Sequence, residues 1–330
     1  MPERATVNEW SRWGFEATHG VYKTQDFRQL QATTVRLNPQ IEIERFAPQG
    51  YKYPVHVFPA KEMVTGEIEG KGSYSDMSYL VSGILKPATI IRNIPTTGLS
   101  YTWTWTQGGV GEDDPVSFTI EAGQVARVER AAYAIINQLG LAFNRSTVET
   151  SGELMARPLD DGIGFSGTGF QELAAVPILG SHVNVYLDAT SAALGTTKMV
   201  RMVSADWSLG DRFLPMFYLD RSQPSFTNHV ETSPTGEIKL VMQADATAMG
   251  LLNNMRSGAS MFMRIEALGP LIETIYYHSF IIDACVKVVS APSRSDQDGI
   301  YGAEWTFAMV HDTTWAKAFE IKANNRLATL

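Results

Sequence analysis

Apolar and polar residues alternate with a period of two along most of this chain. VRLNPQIEIERF (35–46), VTGEIEGKGSY (64–74), EIKLVMQA (237–244), SMFMRIEAL (260–268), TIYYHSFIIDACVKVVS (274–290) and YGAEWTFAMV (301–310) are rich in β-branched and aromatic residues and predict strands. In YTWTWTQ (101–107), Tyr101, Trp103 and Trp105 share one face of a strand, with Thr102, Thr104 and Thr106 on the other. Helical spacing is confined to a few stretches. In SDMSYLVSGILK (75–86), Met77, Leu80, Val81, Ile84 and Leu85 form a stripe that Pro87 stops. In DATAMGLLNNMRSG (245–258), Asp245 is the expected N-cap and Gly258 the expected stop. A third helix is expected at TTWAKAFEIKANN (313–325).

Both mid-chain helices follow the same word. TGEI occurs at 65–68 and 235–238, RFAP (45–48) is echoed by RFLP (212–215), and SFTIEA (117–122) by SFIIDA (279–284). The offsets are 170, 167 and 162 residues, in the same order, around equivalent strand–helix units. A tandem duplication is therefore expected, with domains at 1–170 and 171–330. The connector LDDGIGFSGTGFQELAAVP (159–177) concentrates glycine and proline at the boundary. From Ile68 to Ser117 there are 48 residues and from Ile238 to Ser279 only 40, which makes QGGVGEDDP (107–115) the expected site of the first copy's extra length.

Composition removes several functions. With 44% hydrophobic residues in 330, the chain can bury a large core; a net charge of −8 argues against a surface that neutralises phosphates. Cys285 is the only cysteine, so neither a disulfide framework nor a thiolate cluster is expected. The N-terminal residues lack an apolar signal region, and no 18-residue apolar run predicts a membrane span. Histidines 19, 56, 182, 229, 278 and 311 lack zinc spacing. Gly162, Gly164 and Gly167 satisfy G-x-G-x-x-G, but Pro177 follows too soon for a crossover helix. Asp296, Asp298 and Gly299 resemble a calcium loop whose first and last ligand positions are Arg294 and Trp305. No catalytic centre, metal or cofactor is expected. The aromatic ladder can pack against a second sheet or helix, form a subunit interface, or serve a carbohydrate-binding or other attachment module; the carboxylates Glu112, Asp113 and Asp114 read as solvated loop charge, with a hydrolase pair as the alternative.

EWSRWGFEATHGVYKT, TGEIEGKGSYSDMSYLVSGIL, SFTIEAGQ, VNVYLDATSAALGTTKMVRMVSADWSL, IIDACVKVVS and DQDGIYGAEWTFAMVHD together resemble the tail tube proteins of long-tailed bacteriophages. The resemblance implies a mainly β fold of two tandem β-sandwich or barrel-like domains, each with a flanking helix, plus extended arms and a C-terminal helix. It implies a virion tail component made in the host cytoplasm. Its partners would be itself, as a homotrimeric pseudo-hexameric ring stacked head-to-tail, and the tape measure and tail terminator proteins. DNA would pass through the lumen without specific binding, and no membrane is involved. On that reading Trp10, Trp13, Trp103, Trp105, Glu112, Asp113 and Asp114 are candidate interface residues, and Glu67, Glu69 and Glu237 candidate lumen residues.

Overall fold

The computed structural model of the protein describes residues 9–330 apart from 108, 110, 168–169, 220–224, 245 and 298–299. The first half runs β1 (Trp10–Phe15), β2 (Arg28–Leu30), β3 (Thr33–Phe46), β4 (His56–Lys71), α1 (Asp76–Ile84), β5 (Thr89–Arg92), β6 (Tyr101–Thr106), β7 (Phe118–Gln124), β8 (Arg127–Phe143) and β9 (Val148–Ala156). β10 (Asp160–Ile163) and β11 (Gln171–Glu172) lead to β12 (Val183–Asp188), β13 (Met202–Gly210), β14 (Phe213–Met216), β15 (Asn228–Glu231) and β16 (Thr235–Gln243). Then come α2 (Ala246–Ser257), β17 (Met261–Glu273), β18 (Tyr276–Gln297), β19 (Ile300–Met309) and β20 (Phe319–Asn325). The class is mainly β, sandwich-like, with the expected strands and both mid-chain helices in place.

The same pairing order occurs twice. In the first half, antiparallel ladders join β3–β4–β9–β8–β7–β1; in the second they join β13–β16–β19–β18–β17–β12. Each chain of strands holds its helix directly after the TGEI strand. The glycine of TGEI has a packing reason in both places. A Cβ on Gly66 would lie 2.7 Å from Leu154 Cδ1, and one on Gly236 would collide with the Met309 side chain. Leu154 and Met309 sit at matching points of β9 and β19, so both glycines admit a large side chain from the neighbouring strand.

One apolar core runs through both halves, from Trp13 to Ala323. α1 lies in its middle: all nine residues are buried, because β6 and β8 pack on it from different directions. Its one-sided apolar stripe is therefore extended by Ser78, Ser82 and Gly83, which are small enough to let strands approach. Asp76 in its first turn accepts hydrogen bonds from the Ala32 N–H (2.9 Å) and the Thr33 hydroxyl (3.4 Å), tying α1 to the β2–β3 turn. Burial pushes this carboxyl up to about 6. α2 packs against β18 and ends at Gly258, whose φ of +65° is the left-handed stop the sequence predicts. The expected cap Asp245 lies outside the described residues.

Four expectations are corrected. Residues 319–325 form β20, not a C-terminal helix. Ile321 and Ala323 alternate into the core while β20 pairs with β18 on one side and β6 on the other, so tertiary pairing overrides local helical spacing. The first half's extra length is the whole β5–β6 hairpin, which has no counterpart between α2 and β17. SFTIEA lies on β7 but SFIIDA on β18, so this echo does not mark equivalent strands. Finally, the N-terminal EWSRWGF is no free arm, since β1 pairs with β2 and β7.

Candidate assembly surface

Eight antiparallel strands, β3–β4–β9–β8–β13–β16–β19–β18, form one continuous sheet across both halves. The crossing is the β8–β13 ladder, which pairs Leu139 with Leu209 and Phe143 with Ala205. A single transverse row can be followed through all eight strands: Thr34, Glu69, Ser151, Gly140, Ser208, Glu237, Ala308 and Lys287. Because side chains alternate, this row shares a face with Glu67, Glu149 and Glu153, all exposed, while Ile68, Leu139, Trp207 and Ile238 face the core. The outer face is thus charged and net acidic, with Arg36, Lys71, Lys239 and Lys287 among its carboxylates, and Glu67, Glu69 and Glu237 stand on it together.

The sheet has two ends. β3 pairs only with β4 among the described residues. β18 pairs with β17 as far as Val286, and beyond that only with β19. Bare edges of this kind present unpaired N–H and C=O groups and are normally blunted in monomeric proteins.

The distal part of the β3–β4 hairpin leaves the body as a two-stranded ribbon. Ile41 (49% exposed), Phe46 (55%), Val57 (61%) and Tyr53 (80%) place apolar side chains in solvent along it. The equivalent excursion in the second half, β14–β15, folds back instead: Phe213 and Phe226 pack on Tyr133, Ile135 and Met155. The paired words RFAP and RFLP fall on these divergent excursions, Phe46 exposed and Phe213 buried.

The aromatic ladder serves the core, not a surface. Trp103 and Trp105 are covered by their own chain, stack at 5.7 Å and 20°, and donate to Leu327 O (2.9 Å) and Ser82 Oγ (3.0 Å). Trp13 is also fully buried, against Phe118 at 5.1 Å, so none of the three offers area to a neighbouring subunit. Trp10 stays 37% exposed, beside Phe165.

The acidic loop divides likewise. Asp113 is buried and accepts from Arg212 Nη2 (3.0 Å) and Lys86 Nζ (3.1 Å), while its N–H donates to Glu231 (2.6 Å). Arg212, fully buried, also reaches Glu231 at 2.9 Å, and burial holds the guanidinium below its usual range. This network pins the loop to the second half, which sequence spacing could not disclose. Glu112 and Asp114 remain exposed. Asp114 meets His19 Nε2 at 3.1 Å and His229 Nε2 at 3.5 Å. His19 Nδ1 also contacts Ser117 Oγ at 2.7 Å, which gives the composition of a hydrolase triad but not its polarity. The Ser117 proton goes to Glu16 (2.7 Å), and the hydroxyl is fully buried, so His19 acts as donor rather than base.

Gly162 lies in β10, and β11 rather than a helix follows the glycine motif, so no helix N-terminus is available to a phosphate. Asp298 and Gly299 of the calcium-like loop lie outside the described residues. Among the described residues no cluster of His, Cys, Asp and Glu could hold a metal ion, and no helix is long and apolar enough to cross a membrane. Neither a protein-family model nor a curated protein matches the chain.

Proposed function

We propose that this protein is a self-assembling structural subunit of a tail-tube type, whose chains close into rings that stack into a hollow conduit for DNA. The observation that carries the reading is the continuous eight-stranded sheet with an acidic outer face and two bare edges. A sheet crossing both halves of one chain is already a segment of a wall, and bare edges allow it to continue into other copies. With two equivalent units per chain, three chains give a six-unit ring. At about 4.8 Å per strand and a moderate tilt, three such sheets close at a backbone diameter of about 40–45 Å. Subtracting about 5 Å of side chain at each wall leaves room for a DNA duplex. Carboxylates facing the lumen repel phosphates, so DNA slides without counterion-release binding.

Head-to-tail stacking needs a surface at the ring's rim, and the exposed apolar ribbon at 41–58 supplies one. It replaces the 107–115 loop, whose Asp113 is committed within the chain. Negative-stain microscopy of the purified protein tests the reading. Rings or tubes with three-fold symmetry are expected; a protein that stays monomeric at high concentration excludes it.

A further inference from the structure

The joint between the two halves offers a template for a joint between chains. Along one edge, β8 carries β7 as far as Ala134 and then β13, from Leu139 to Phe143. β18 holds the same place in the second unit, with β17 along the matching edge as far as Val286. Past Val286 that edge has no strand among the described residues. The strand that fills the gap in the first unit is β13, and the counterpart of β13 is β3, whose outer edge is also bare. We propose that β3 of one protomer pairs antiparallel with β18 of a second copy of this chain, repeating the β8–β13 joint around the ring. The inference rests on the tube reading above and specifies its lateral contact.

The register follows from equivalent pairs. Gly66 pairs with Leu37 and Gly236 with Leu209, so Leu37 corresponds to Leu209. Ile68 pairs with Gly152, which pairs with Leu139; Ile238 pairs with Phe307, which pairs with Val288. Val288 therefore corresponds to Leu139, and the template sets Leu37 opposite Val288. Faces agree: Leu209 and Leu139 both point to the core, and Leu37 and Val288 are 5% and 7% exposed on the same side. One step along, Asn38 faces Lys287 as Gly210 faces Gln138, where a Cβ on Gly210 would lie 3.6 Å from Gln138 Cγ.

The tilt is consistent as well. The transverse row starts at Thr34 and crosses the internal joint at Ser208, the counterpart of Arg36. It leaves at Lys287, which the template sets against Asn38, so each joint advances the row by two residues (34 to 36 to 38). Alternating joints of equal advance are what a closed ring of like units requires. Space is present too. A groove of about 530 Å³ runs beside Val35, Arg36 and Leu37, bounded by Ala122, Gly123 and Gln124.

The test is a cysteine pair, Asn38→Cys with Lys287→Cys, in a chain whose single native thiol, Cys285, is buried. Directly opposed strand residues lie within disulfide range. Mild oxidation is expected to shift most of the double variant from the monomer band into covalent multimers on a non-reducing gel. Either single variant alone should stay monomeric on that gel, and the two mixed should stop at dimers. Rings visible by microscopy without cross-linking overturn this joint and leave the tube reading standing; absence of rings altogether overturns both. A second measurement uses the unsubstituted protein: amide exchange at 34–38 and 287–289 should slow on assembly, and unchanged exchange in assembled rings also overturns the joint.

Discussion

Arg212→Met removes a fully buried cation that ties the 107–115 loop to the second half. Arg212 neutralises two carboxylates, reaching Asp113 at 3.0 Å and Glu231 at 2.9 Å. Without it, Asp113 keeps the partly exposed Lys86 at 3.1 Å, and Glu231 keeps the Asp113 N–H donor among the described residues. Breaking a buried pair by deleting one partner costs about 3–5 kcal/mol, because the remaining charge stays desolvated. For a chain of 330 residues that is a fall in Tm of roughly 4–7 °C. The triple variant Arg212→Met, Asp113→Asn, Glu231→Gln leaves no stranded charge and should regain at least about 2 kcal/mol of the loss. Urea denaturation of the three proteins under identical conditions reads the difference directly. A single variant within about 1 kcal/mol of the parent, or a triple variant worse than the single, refutes the reasoning. Deleting 108–114 removes Asp113, leaves Arg212 with Glu231 at 2.9 Å and takes the loop's tie to the second half away, so it should cost stability as well as any assembly contact.

The remaining expectations concern titration, packing and charge. His278 is 5% exposed, its Nδ1 has no partner, and burial lowers its imidazole to about 4. The folded state therefore binds fewer protons than the unfolded one between pH 4 and about 6.5, and stability is lost as pH falls through that window by up to about 3 kcal/mol. Asp76 has the opposite sign, since its carboxyl, raised to about 6, loses stability as pH rises from about 4 to 6. His278→Phe should flatten the acid limb and Asp76→Asn should stabilise the protein above pH 6, both read as Tm against pH. Trp105→Ala should cost about 3–5 kcal/mol, and glycan titration of the parent should leave tryptophan fluorescence unchanged because both ladder tryptophans are buried. Reversing Glu67, Glu69 and Glu237 to lysine should give assembled tubes that retain DNA at low salt and release it at high salt; salt-independent behaviour counts against a lumen position.

Much of the architecture was legible because it rests on local periodicity. Alternation located the long strands, the 3.6-residue stripe located α1 and α2, and TGEI marked the one echo that the pairing repeats faithfully. The failures share a cause. Residues 313–325 have helical spacing, yet the bare flank of β18 between Ser279 and Ala284 captures 319–324 as a strand. SFIIDA resembled SFTIEA by composition, although the two words sit on different strands of the repeated unit. The tryptophans stayed open between core and interface, and Asp113 read as solvated loop charge, because burial is a property of what folds over them, here α1, Leu327 and Arg212. Period two says which residues share a face; it does not say which face the rest of the chain covers.

That distinction bears on why two units share one chain. Their sheets and helices follow one plan, but their excursions do not: β3–β4 projects an apolar ribbon while β14–β15 folds onto Tyr133 and Met155. Six identical units in a ring would all project ribbons or all fold them back. Two units fused in alternation give every other position a ribbon and leave a folded-back excursion between. Removing residues 41–58 by a short turn between β3 and β4 separates the two levels of assembly. Lateral pairing uses 34–38, which remains, so single rings should still form; stacking uses the ribbon, so tubes should not. Full-length tubes from this variant would assign stacking to some other surface, and loss of rings would place the ribbon in the lateral contact instead.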